Sequence, residues 1–122
     1  MGKFVIRETP TGIKFDLRTD EEEVVATSEV YSGEAACREG VDSVKICSTG
    51  EIEDRTADPI EEKKHPKFEL YLDRADNFRF RLKARNGKVI ATSKPFPNKD
   101  DCLAGIKKVK LNAPSAAVVK GE

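Results

Sequence analysis

Few side chains in this sequence have the type and spacing needed for covalent chemistry. The single histidine, His65, stands beside Pro66 in a charged, proline-containing run. Any Ser-His-Asp or Cys-His arrangement would have to recruit that one imidazole, and no nucleophile-elbow pattern presents a serine to it. Cys37, Cys47 and Cys102 lie far apart with no Cys-x-x-Cys pair, and a lone histidine leaves no zinc-ligand spacing. Their odd number, behind an N-terminus (Met1-Gly2-Lys3-Phe4-Val5-Ile6-Arg7) that lacks a secretory pattern, predicts reduced thiols buried as small hydrophobes. Asp100-Asp101 sits where a helix dipole already stabilises negative charge. Ala-Thr-Ser occurs at 26–28 and again at 91–93, each time in a strand just before a helix, so packing and hydrogen bonding explain it better than two nucleophiles do. Asn86-Gly87 reads as a hairpin turn rather than a phosphate-binding loop. These residues predict no catalytic site, no metal and no cofactor.

Charge is more informative. The chain balances 22 Lys+Arg against 22 Asp+Glu, but the halves differ. Up to Asp58 acids outnumber bases about two to one, and from Pro59 onward the ratio reverses to a similar extent. Such asymmetry points to an anionic partner or to self-association. Arg79, Arg81, Lys83 and Arg85 alternate along one strand and so share a face, with Lys88 and Lys94 on its neighbour and Tyr71 across the hairpin. That row is the candidate surface for an anionic partner, in the manner of sheet-based RNA binders. Only Tyr71 is available for stacking, and the chain is not basic overall. A solvated strand face, partly neutralised by Glu69, is the plainer account.

The elements that carry this row come in two copies. Lys3-Phe4-Val5-Ile6 recurs as Lys67-Phe68-Glu69-Leu70, Phe15-Asp16-Leu17 as Phe80-Arg81-Leu82, and Val24-Val25-Ala26-Thr27-Ser28 as Val89-Ile90-Ala91-Thr92-Ser93. Tyr31 answers Phe96, and Cys37, Gly40, Val44 and Lys45 answer Cys102, Gly105, Val109 and Lys110, all in one register. Each copy reads as three strands, a helix and a last strand. Phe68, Leu70 and Leu72 alternate with polar residues, as do Phe78, Phe80, Leu82 and Ala84. Pairing Leu72 with Phe78 sets Glu69 opposite Arg81. The corresponding first-copy turn, Glu21-Glu22, is a poorer choice than Asn86-Gly87 and is expected to be looser. Ser32 and Asn98 are natural N-caps for helices running to about Ile46 and Leu111. Their apolar stripes are Cys37, Gly40, Val41, Val44 and Cys102, Gly105, Ile106, Val109. A mid-helix glycine in both copies predicts close approach of helix to sheet. Residues 1–56 form the first repeat, 57–66 a linker and 67–122 the second.

With 38% hydrophobic and 36% charged residues the composition is that of a globular chain, and no apolar run approaches the length of a membrane span. The expected compartment is the cytoplasm.

The block from Phe78 to Ser93, FRFRLKARNGKVIATS, followed by a cysteine-and-glycine helix and Asn112-Ala113-Pro114, resembles the YegP-like proteins, small and mostly prokaryotic, of uncharacterised function. The resemblance covers nearly the whole chain outside the linker. It implies an α+β fold in which two tandem β-β-β-α-β repeats join into one continuous, mainly antiparallel sheet with two helices on one face. It also implies final strands exchanged between the repeats, hence a single intertwined domain and a monomer that is its own pseudo-dimer. No activity comes with it. The expected function is a non-enzymatic binding or interaction module using the open sheet face, with a nucleic-acid-associated protein as the alternative and an enzyme third.

Overall fold

The computed structural model describes residues 2–121. The first copy supplies β1 (Lys3–Thr9), β2 (Gly12–Arg18), β3 (Val24–Thr27), α1 (Glu34–Cys47) and β4 (Glu51–Asp54). The second supplies β5 (Lys67–Leu72), β6 (Phe78–Lys83), β7 (Val89–Thr92), α2 (Lys99–Asn112) and β8 (Ala117–Lys120). Residues 55–66 carry neither helix nor strand. No helix among the described residues is long and apolar enough to cross a membrane.

All eight strands form one sheet in the order β4-β5-β6-β7-β3-β2-β1-β8. Exchanging the two copies leaves that order unchanged, so the sheet has a pseudo-twofold axis at the seam between β3 and β7. The copies meet there at a single antiparallel pair, Thr27 with Thr92. The hairpins follow the period-2 pattern: β5 and β6 pair Leu72 with Phe78 and Glu69 with Arg81. At the edges, β4 runs parallel to β5 and β8 runs parallel to β1. Each copy's last strand thus borders the other copy's first strand, with Asp54 beside Leu70 and Lys120 beside Ile6.

Both helices bury their stripes on one face, forming one core with the inward strand residues. Phe4, Phe15, Phe68 and Phe80 are fully buried, each contributing about 1.5–3 kcal/mol of transfer free energy. The two copies repeat the same ring contacts: Phe4 edge-on to Phe15 and Phe68 edge-on to Phe80, at 5.6 and 6.0 Å. Phe15 stacks with Tyr31 and Phe80 with Phe96. The helix glycines seat these rings. A Cβ on Gly105 would lie 2.9 Å from Phe96 Cζ, and one on Gly40 would lie 2.7 Å from Tyr31 Cζ.

Three local expectations are revised. The Glu21-Glu22 turn is not looser than its counterpart. Thr19 N–H donates to Glu23 O and Glu22 N–H to Thr19 O, matching Ala84 N–H to Lys88 O and Gly87 N–H to Ala84 O. Glu22 adopts the left-handed φ of 66° that Gly87 adopts at 83°, so the first copy accepts local strain rather than losing the turn. In both cases the residue of left-handed φ closes a four-residue turn, 19–22 or 84–87, so Asn86-Gly87 is not a two-residue hairpin. Ser32 does not cap α1; Gly33 occupies that position with no side-chain bond, whereas Asn98 caps α2 by accepting from Asp101 N–H. Leu72, expected on the core face, is 46% exposed at the last position of β5.

Candidate functional site

Alternation on β6 puts Phe80 and Leu82 inward and Arg79, Arg81 and Lys83 on the face away from the helices. This outer face is where the sequence places the basic row. Tyr71 joins them, paired with Arg79 across the hairpin and stacked by the Arg81 guanidinium 4.3 Å from its ring centre. Arg85 does not. It lies past the end of β6 in the 84–87 turn, where it lines a shallow groove with Ser43, Ile46 and Cys47.

The three basic residues that do share the face are ion-paired. Arg79 Nε lies 2.7 Å from Asp73 Oδ2, Arg81 Nε 2.7 Å from Glu69 Oε1, and Lys83 Nζ 3.3 Å from the same oxygen. Glu69 is itself buried, and so are Glu53 beside it on β4 and Lys67 on β5. Lys67 Nζ bridges the two carboxylates, 2.7 Å from Glu53 and 3.3 Å from Glu69. Arg55 adds a contact to Glu53 at 2.5 Å, and the Lys63 backbone N–H donates to Glu53 Oε1 at 2.7 Å. Residues 55–66 therefore do more than connect: they close this cluster from above.

Burial works to raise the Glu53 carboxyl, but bonds from Lys67, the Lys63 N–H and Arg55 outweigh it and bring it down to about 2. Glu69 is likewise held low, with Arg81 and Lys83 overcoming its burial. Lys67 is raised, first by its bond to Glu53. Glu53, Glu69 and Lys67 are each shifted towards the charged form, so the cluster holds fixed charge.

The pseudo-symmetric place in the first copy is built differently. Val5 and Val119 pair where Glu69 and Glu53 pair, and the nearby charge is Arg7 Nε on Asp16 Oδ2 at 2.7 Å. Asp16 also accepts from the Thr27 hydroxyl. Beside it a groove of about 300 Å³ crosses the seam, lined by Arg7, Asp16 and Thr27 from one copy and Thr92 and Lys94 from the other.

Glu53, Lys67, Arg55 and Lys63 were not singled out by the sequence. Glu53 lies on a strand sparse in apolar residues, and Lys67 reaches it only through pairing between copies, Lys63 only through the path of residues 55–66. The available signal is a glutamate at the position where the second copy carries Val119.

The other candidates behave structurally. Ser28 Oγ accepts from Phe15 N–H and donates to Glu29 O, and Ser93 Oγ accepts from Phe80 N–H and donates to Lys94 O. Both serines extend the strand ladder past the end of β3 and β7. The three cysteines are buried and unbonded to one another, and burial pushes Cys102 up to about 11. His65 is exposed, next to Gly87.

Two β-β-β-α-β copies sharing one eight-stranded sheet, with both helices on a single face, define a YegP-like α+β protein. The model of a domain of unknown function, DUF1508, matches residues 12–54 and 73–119, and the chain belongs to that family. Its fold is similar to the solution structure of the protein of unknown function YegP from E. coli, with TM-score 0.80 and 24% identity over 98% of this chain and 92% of that one. A UPF0339 protein of Treponema denticola is 56% identical over 54 residues, 44% of this chain but 93% of that protein, so the relative is about one copy long. A UPF0339 protein of Pseudomonas aeruginosa is 26% identical over 117 residues, covering 95% of this chain and 94% of its own. The family has no named activity.

Proposed function

We propose that this chain is a non-enzymatic binding module whose contact surface is the outer face of the sheet. The observation that carries the reading is the layer of ion pairs on that face. Arg79, Arg81 and Lys83 are held by Asp73 and Glu69, and Arg7 by Asp16. Charges already fixed in position lose little side-chain freedom when a partner docks, which favours recognition. The groove across the seam gives that surface a concave centre. Against an enzyme stand the ionised state of the carboxylate cluster and the burial of the thiols. A cytoplasmic location fits three unbonded cysteines, and the chain acts as a monomer whose two copies replace two subunits.

Photo-crosslinking in cells tests the surface. A photoreactive residue replacing Tyr71 or Thr92 should capture a discrete protein, while one replacing Glu39 or Lys107 on the helices should not. Capture from the helix positions alone would overturn the proposal.

The nucleic-acid reading stands second and rests on the Tyr71–Arg81 stack. A phosphate would have to displace Glu69 and Asp73 from their partners, leaving the buried Glu69 carboxylate with Lys67 alone.

A further inference from the structure

Six ion pairs join the two copies among the described residues, and all six put an acid of the first copy on a lysine of the second. Four of them form two pseudo-symmetric sets. Glu29 faces Lys88 at 3.8 Å, and the exchanged positions are Lys94 facing Glu23, also at 3.8 Å. Glu34 faces Lys120 at 2.8 Å, and the exchanged positions are Lys99 facing Asp54 at 2.7 Å. Positions 23, 29, 34 and 54 are thus acidic in the first copy, and their equivalents 88, 94, 99 and 120 are all lysine. Lys108 reinforces the set at 2.6 Å from Glu23.

Pairing of like copies would make these four contacts repulsive, whereas Lys67 and Lys108 lie outside the pattern, their first-copy equivalents being Lys3 and Ser43. Two first copies would set Glu29 against Glu23 and Glu34 against Asp54, each contact occurring twice. Two second copies would set Lys94 against Lys88 and Lys99 against Lys120. The apolar part of the seam gives no such discrimination, because the core residues are nearly the same in both copies. An exposed ion pair contributes little by itself, but the difference between matched and mismatched partners accumulates over four contacts.

We propose that these positions are a recognition code for the contact between copies, two of the ion pairs flanking the β3–β7 seam and two lying at the edge strands β4 and β8. The acidic first copy fits a repeat of this fold with lysines at the four corresponding positions, as in the second half of another molecule of this chain. It rejects another acidic copy. The charge imbalance between halves, which in the sequence points outward to a partner, is spent on choosing which repeat pairs with which.

Full-length variants test the code. Replacing Glu23, Glu29, Glu34 and Asp54 with lysine puts lysine at all eight positions. The urea midpoint should fall below wild type at low salt, and the gap should close as NaCl approaches 1 M. Adding Lys88→Glu, Lys94→Glu, Lys99→Glu, Lys120→Glu and Lys108→Glu reverses the polarity and should restore most of the midpoint. A lysine-only chain as stable as wild type at low salt, or a reversed chain as unstable as the lysine-only one, would overturn the code. Partner choice is read by cutting the whole chain once within 57–66 and letting the pieces exchange. Native mass spectrometry should then find first halves with second halves only. Like pairs in random proportion would refute the proposal.

Discussion

Glu53 and Glu69 are side-by-side neighbours on β4 and β5, both buried, and they share the ammonium of Lys67 at 2.7 and 3.3 Å. Like charges in direct register destabilise a sheet unless a counter-charge lies between them. Lys67 is that counter-charge, and it comes from the strand that also supplies Glu69. The first strand of one copy and the last strand of the other are held together by an ionic centre as well as by backbone bonds.

Lys67→Met should therefore be among the most damaging single changes on the outer face. It leaves two buried carboxylates facing each other, a loss on the order of 3–5 kcal/mol, measured by urea unfolding at pH 7. The deficit against wild type should shrink on mild acidification, as the two adjacent carboxyls, left with Arg55, Arg81 and Lys83 but no shared ammonium, take up protons. A deficit that did not change with pH would show that packing, not charge, had been lost.

The wild-type protein should lose stability in acid through the same cluster. The folded Glu53 carboxyl titrates near 2, against an ordinary value of 4.5. Its contribution is complete above the unfolded value and disappears as pH falls from there through about 2. Asp54, Asp73 and Glu69 are also lowered and act in the same direction. Glu53→Gln should flatten the acid limb of a stability-versus-pH curve; an unchanged limb would remove Glu53 from the account.

The helix glycines should resist even alanine. At Gly40 an added Cβ meets the Tyr31 ring, and at Gly105 it meets Phe96 and Phe80. Overpacking of this kind costs roughly 1–3 kcal/mol, partly offset by about 1 kcal/mol of helix propensity. Tyr31→Phe removes the hydroxyl that crowds position 40, so it should recover part of the loss in Gly40→Ala. Thermal melts of the single and double variants measure this.

Capping differs between the copies. Asn98→Ala should cost about 1 kcal/mol by removing the bond to Asp101 N–H, while Ser32→Ala should fall within about 0.5 kcal/mol of wild type. Equal effects in denaturant titrations would contradict the cap assignment.

Single-stranded RNA or DNA should not bind appreciably at physiological salt, since Arg79, Arg81 and Lys83 already have carboxylate partners. Affinity that falls steeply with salt and vanishes in an Arg79→Ala, Arg81→Ala variant would install the nucleic-acid reading instead.

Local pattern carried the elements. The alternation of Phe68, Leu70, Phe80 and Leu82 set strand faces and hairpin register, and the repeat aligned Gly40 with Gly105 and Cys37 with Cys102. Those features depend on near neighbours along the chain, and periodicity records them directly. The basic row was legible as a row, because a strand's side chains alternate whatever surrounds it. Its neutralisation by Glu69 was legible in part, since Glu69 and Arg81 oppose each other across one hairpin. Glu53 and the Lys63 backbone were not, because they reach the site through pairing between copies and through the path of residues 55–66. Charges on separate copies carry no period that would mark them as partners. Only the tertiary structure brings Glu23 to Lys94, Glu34 to Lys120 and Asp54 to Lys99, and so decides where the charge imbalance between the halves goes.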